Sequence, residues 1–141
     1  MYLFVYGTLM SNIPSSMSKF LRRRATLIGK ATTVGRLYDL GQYPGFVPGG
    51  EGSVKGELWR LEEERAEQTM EMLDAYESVT GGPEDEYRRV ELSVSVSDGG
   101  KFLAFTYEYI KPLVKASLIP LGNYSTFYAG NEAHQEFVNG V

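Results

Sequence analysis

The chain contains no cysteine and a single histidine. The first absence excludes disulfides, thiolate metal sites, iron–sulfur clusters and cysteine nucleophiles. The second makes a zinc site a poor fit and leaves any Ser-His-Asp arrangement dependent on His134 alone. His134 lies in the polar run Gly130-Asn131-Glu132-Ala133-His134-Gln135-Glu136 and reads as a surface residue. Long apolar runs are missing too. No stretch approaches the roughly 18 apolar residues of a membrane span, and the N-terminus lacks the basic flank and cleavage site of a signal peptide. Cytoplasmic residence without membrane attachment is therefore expected. Positive charge is scarce: 14 Lys and Arg against 18 Asp and Glu leave a net charge of −4, which argues against a binder of phosphate backbones. The one basic cluster, Arg22-Arg23-Arg24 with Lys19 nearby, spreads around a short helix and reads as solvated surface, so nucleic acid is not expected. Catalysis would fall to carboxylates, hydroxyls and backbone amides.

What is present points to a turn-rich β protein. The 141 residues, of which 43% are hydrophobic and 23% charged, fit one globular domain, 1–141, with a core that needs no staples. Sixteen glycines and ten tyrosines are the unusual counts. Glycine supplies turns and bulges, and tyrosine favours strands and pocket walls.

Along the chain, residues 2–6 read as an apolar strand, and Ser15 or Ser16 as the cap of a short helix through Arg23. Residues 26–38 read as a strand, followed by a turn at 41–45 and a very flexible glycine segment at 48–52. Residues 54–61 alternate like a half-buried strand, and Gly56 in their midst predicts a bulge or a close backbone contact. Residues 62–79, free of proline and glycine, read as the one long helix. Residues 87–97 and 102–110 form a hairpin around Asp98-Gly99-Gly100. Beyond Pro112 only loops and short helices are expected. The sum is an α+β fold, a small, strongly curved sheet or barrel with one long helix against it.

Two places carry chemistry. The opening strand runs into Gly7-Thr8-Leu9. A strand ending in glycine lets the backbone approach an anion closely, and the Thr8 hydroxyl adds a donor and acceptor there. A plain turn after an edge strand is the alternative. The second place is on the long helix. Ala66, Met70 and Leu73 define its apolar stripe, and one further turn lands on Glu77. Partial burial and the negative end of the helix dipole both raise a carboxyl pKa, from about 4.3 toward 6 or 7. Such an acid takes and returns a proton near neutrality. The alternative is a helix that frays before Glu77 and leaves it in water.

Three segments together resemble the gamma-glutamylcyclotransferase-like superfamily of small mixed barrels, closest in loop form to its gamma-glutamylamine branch. They are Val5-Tyr6-Gly7-Thr8-Leu9, then residues 35–45 with Arg36, Tyr43 and Gly45, and then Leu73-Asp74-Ala75-Tyr76-Glu77. Val54-Lys55-Gly56-Glu57-Leu58-Trp59 and Tyr87-Arg88-Arg89 extend the match, so that it covers about residues 1–110 and is less clear over 111–141. The resemblance implies a cofactor-independent enzyme acting on a small-molecule γ-glutamyl amide, with the α-amine attacking the γ-carbonyl to give 5-oxoproline and a free amine. By the same resemblance Tyr6, Gly7, Thr8 and Leu9 hold the substrate α-carboxylate and Glu77 is the proton acceptor, then donor. It also places Tyr43 and Arg36 at the cavity wall. Tyr87, Tyr107 and Tyr124 are further candidates for the pocket lining. Two other readings stand beside this one: a binding protein that keeps the fold and pocket without turnover, and an enzyme acting on a γ-glutamyl group attached to a larger carrier.

Overall fold

The computed structural model describes residues 1–114 and 116–139. Its sheet has six strands: β1 (Tyr2–Val5), β2 (Ala25–Asp39), β3 (Pro44–Leu61), β4 (Tyr87–Val96), β5 (Lys101–Tyr109) and β6 (Ser117–Leu118). The order is β3-β1-β5-β4-β2-β6, and β2 also pairs with β3, which closes the first five strands into a barrel. All pairings are antiparallel except β1 with β5, so the barrel is mixed. β1 is thus an interior strand, not an edge. Leu3, Phe4, Val5, Leu37, Phe46 and Leu58 are buried with almost no exposed surface, on the two faces of the barrel wall.

The helices lie outside the barrel. Ser15 caps α1 (Ser16–Arg24) by accepting from the Ser18 amide at 3.0 Å. The expected long helix is shorter than its composition implies: a 3₁₀ turn over Glu63–Arg65 leads into α2 (Ala66–Tyr76), and Glu77 is its C-cap. The stop is a backbone event. Ser78 sits at φ 56°, and the Ser78 and Val79 amides fold back onto the Ala75 and Asp74 carbonyls, which ends the helix without glycine or proline. After β5, a 3₁₀ turn over Pro120–Gly122 precedes α3 (Tyr124–Ala129) and α4 (Glu132–Asn139).

Two expectations are corrected. The glycine segment at 48–52 does not interrupt the sheet. The register jumps from Val34↔Ser53 to Gly35↔Pro48, so the segment is a wide bulge inside β3, with Gly49 and Gly50 at positive φ. His134 is not on the surface. It is fully buried, its ring between Tyr124 Oη at 2.9 Å and Asp39 Oδ1 at 2.7 Å. The polar letters around it describe the outer face of α4, while His134 and Val138, four residues apart, share the inner one. Gly56 behaves as anticipated: a Cβ there would lie 2.2 Å from the Val5 carbonyl oxygen, so only glycine lets β3 pass β1 at that point.

Candidate active site

The end of β1 opens onto a cavity of about 420 Å³, within the size range of small-molecule sites. Tyr6, Gly7, Thr8 and Leu9 form one side, and Tyr76, Glu77 and Ser78 from the end of α2 form another. Tyr43 and Pro44, Tyr87, Phe137 from α4, and Glu84 and Glu86 complete the lining. The strand–loop junction and the helix-borne carboxylate, 68 or more residues apart in sequence, therefore share one space.

The loop after β1 is held from several directions. The Ser15 hydroxyl donates to the Thr8 carbonyl at 2.5 Å, and the Met10 amide to the Gly7 carbonyl at 3.1 Å. At its far end the Ser11 amide and hydroxyl both donate to the Glu57 carboxylate, at 2.7 and 2.5 Å. Among the described residues, no acceptor takes the amides of Gly7, Thr8 and Leu9. Three consecutive N–H groups without an acceptor, on buried residues beside a cavity, are an arrangement suited to an anion. Gly7 is required for packing as well, because a Cβ on it would stand 2.8 Å from the Pro44 ring.

Glu77 differs from every other acid in the chain. Burial pushes its carboxyl up to about 7, and among the described residues no hydrogen-bond donor reaches that carboxyl. Its amide closes the helix on the Leu73 carbonyl at 2.9 Å, so the side chain leaves the helix at its negative end. The residue is half-buried and faces the cavity rather than bulk water, which is the apolar-face reading of the stripe and not the frayed one.

The tyrosines divide by what their hydroxyls touch. Tyr6 Oη donates to the Tyr107 carbonyl at 2.8 Å and Tyr87 Oη to the Pro44 carbonyl at 2.7 Å. Tyr107 Oη donates to Asp74 at 2.7 Å, outside the cavity. Burial raises the pKa of all three, so they remain neutral and committed to holding the barrel together. Tyr43 Oη donates to Glu86 at 2.8 Å; burial and that partner push it up to about 12. Tyr76 Oη lies 3.3 Å from Thr8 Oγ1 and ties helix to loop.

Of the residues singled out from the sequence, Tyr6, Gly7, Thr8, Leu9, Tyr43 and Glu77 meet at this cavity. Arg36 does not. It lines a separate cavity of about 320 Å³ with Lys55 and Leu121, because its side chain leaves β2 beside the 48–52 bulge. Tyr107 and Tyr124 also lie elsewhere, in the core. Glu84, Glu86 and Phe137 escaped the sequence reading. The first two sit in an irregular loop with no periodicity, whereas Phe137 had one signal, its place at i+3 from His134 on a helical face.

Comparison with known proteins agrees with this architecture. The family described as "Gamma-glutamyl cyclotransferase, AIG2-like" matches residues 3–126. A gamma-glutamylcyclotransferase family protein, ytfP of Citrobacter rodentium, is 33% identical over 125 residues, spanning 88% of this chain and 95% of that one. An uncharacterized protein from Pyrococcus horikoshii superposes with a TM-score of 0.66 at 27% identity, covering 95% and 98% of the two chains. An aig2-like protein from Mus musculus gives 0.67 at 25% identity, covering 87% and 86%. A family match over residues 3–126, a relative 33% identical over 88% of the chain and a shared barrel fold place it: the chain belongs to the gamma-glutamyl cyclotransferase, AIG2-like family.

Proposed function

We propose that this protein cyclises γ-glutamyl amides to 5-oxoproline, releasing the free amine. One observation carries the reading: an unpartnered glutamate with its carboxyl near 7 faces the same cavity as three unused backbone amides. The amides of Gly7, Thr8 and Leu9 take the α-carboxylate, which fixes the substrate by a group that does not react. Ionised Glu77 accepts a proton from the α-ammonium. The freed amine attacks the γ-carbonyl carbon, so that a new C–N bond closes the five-membered ring. As the tetrahedral centre collapses, Glu77 gives its proton to the leaving nitrogen and the bond to that nitrogen breaks; the second proton of the ring nitrogen then passes by way of Glu77 to the released amine, which departs as an ammonium ion. Atoms balance without water.

The physical fit is in the pKa. A carboxyl at the usual 4.3 is a weak acceptor for an ammonium near 8 to 10, and one near 7 narrows that gap while still protonating a departing amine. Because the attack is intramolecular, holding the folded conformer supplies part of the rate on its own. A purely anion-binding pocket would gain nothing from a second buried negative group, which weighs against the non-catalytic alternative. The test is 5-oxoproline release from γ-glutamyl amides by wild type and Glu77→Gln. Equal release by the two removes Glu77 from this role, and saturable binding with unchanged ligand in wild type replaces the enzyme with a binding protein.

A further inference from the structure

The cavity that holds Arg36 shares no lining residue with the active-site cavity. It encloses about 320 Å³ between β2, the bulged part of β3, β6 and the turn over Pro120–Gly122. Its lining carries two cations, Arg36 and Lys55, and no carboxylate, in a chain whose net charge is −4. Neither cation forms an ion pair among the described residues. Arg36 Nε is buried without a hydrogen-bond partner among them, and Nη1 donates only to the Tyr38 hydroxyl, at 3.4 Å. Lys55 Nζ donates to the Leu121 carbonyl at 3.1 Å, an acceptor without charge. A buried charged donor with no acceptor is costly, and the described residues offer no counter-charge to offset it.

The space beside these cations is kept open by glycine. A Cβ on Gly52 would stand 2.6 Å from the Gly35 carbonyl oxygen and 3.3 Å from Arg36 Cγ, and one on Gly122 would stand 2.2 Å from the Ser53 carbonyl oxygen. The bulge and the turn therefore pack tightly on β2 and β3 while their glycines send no side chain into the cavity between them. The remaining wall is aliphatic: Ile119 is buried, whereas Leu118 and Leu121 are 58% and 81% exposed.

We propose that this cavity is a second binding site, for a small aliphatic carboxylate. The carboxylate supplies the acceptor that Arg36 lacks, with Lys55 as a second positive charge, and the alkyl chain covers Leu118, Ile119 and Leu121. A bare phosphate would use the cations and leave the leucines in water. A neutral alcohol would use the leucines alone, and an alkylamine would be repelled. The volume stands at the small end of ligand cavities, which favours a short chain over a lipid tail.

The experiment titrates hexanoate, hexan-1-ol, hexylamine and inorganic phosphate into the protein and follows backbone amide signals by NMR. Hexanoate should move the signals of Leu118, Leu121 and Gly122 saturably, with hexan-1-ol and phosphate at least about tenfold weaker and hexylamine without effect. The signals of Gly7 and Thr8 report carboxylate taken up in the active-site cavity separately. Arg36→Gln should weaken hexanoate at the Leu118 and Leu121 signals by about tenfold, and Lys55→Gln, at an exposed position, by about threefold. Leu121→Asp places a carboxylate on the rim at a positive φ that aspartate tolerates, and it should also weaken hexanoate, which keeps the test alive if Arg36→Gln does not fold. Hexan-1-ol or phosphate as tight as hexanoate, hexanoate that moves only the Gly7 and Thr8 signals, or binding that none of the folded variants weakens overturns the proposal. Every reading is of binding, so its failure leaves the cyclotransferase reading as it stands.

Discussion

Glu77 and His134 are both ionisable side chains within the fold, and they are treated in opposite ways. His134 is sealed, with one ring nitrogen on Asp39 and the other on Tyr124. Glu77 has no hydrogen-bond partner among the described residues, and its only neighbour of consequence is the cavity. A buried polar group that is fully partnered is a fixture, because moving its proton means breaking contacts on both sides. One that is desolvated and unpartnered is poised, since either protonation state leaves the surrounding bonds intact. The single histidine, the residue first sought for acid–base work, is here a strut. It fastens α4 to the end of β2 and so sets Phe137 against Tyr43.

The largest effect that would separate the two is on turnover. Glu77→Gln should lower 5-oxoproline formation by about 10²- to 10⁴-fold, and a variant as active as wild type would end the contrast. Next in size is stability. His134→Ala leaves a cavity, takes the partner from the buried Tyr124 hydroxyl and one of two partners from Asp39, at a cost of about 2–4 kcal/mol in urea unfolding; an unchanged midpoint would mean that His134 is no strut.

The pH dependence of stability sharpens the comparison further. The Glu77 pKa of about 7 in the folded state lies above the 4.5 of a free glutamate side chain. Between those values the unfolded chain has released a proton that the folded chain keeps. Stability contributed by this group is therefore fully present below about pH 4.5 and is lost as pH rises through 7, by up to about 3 kcal/mol. The decline should vanish in Glu77→Gln, which makes that variant the more stable protein at pH 8 and the less active one. Activity runs the other way, with kcat/KM rising through about pH 7 as Glu77 ionises. The smallest effect is at the adjoining residue. Ser78 holds φ 56° without being glycine, and Ser78→Gly should relieve about 1 kcal/mol, read as a higher melting temperature.

These contrasts also mark what a sequence exposes. The barrel strands were legible because β-branched and aromatic runs alternate between glycine and proline turns, and the 98–100 turn carries its own positive-φ residue, Gly99. Glu77 was legible as an interruption in a helical stripe, even though α2 stops one residue short of it. His134 was hidden because its immediate neighbours are polar, and burial was set by tertiary packing against Asp39, 95 residues away. Two carboxylates of the active-site lining were hidden for another reason. Glu84 and Glu86 belong to a segment whose shape comes from hydrogen bonds to Asp85, and no periodic rule describes such a loop. Arg36 was misplaced because position within a strand does not tell which end of a barrel a side chain serves.

The interior place of β1 has a consequence for the order in which the protein becomes itself. Residues 2–5 pair with residues 57–60 on one side and meet Phe105 on the other. The Phe4 carbonyl receives its side-chain hydrogen bond from Thr106, 102 residues later. Both neighbours of this strand come from far along the chain, and such distant pairings are the slow part of folding. The loop at residues 7–9 hangs directly from that strand, so its amides come to face Glu77 only when the barrel shuts. On the proposed function, turnover would then report on closure: a truncated or locally opened chain that kept its helices and its hairpin would catalyse nothing.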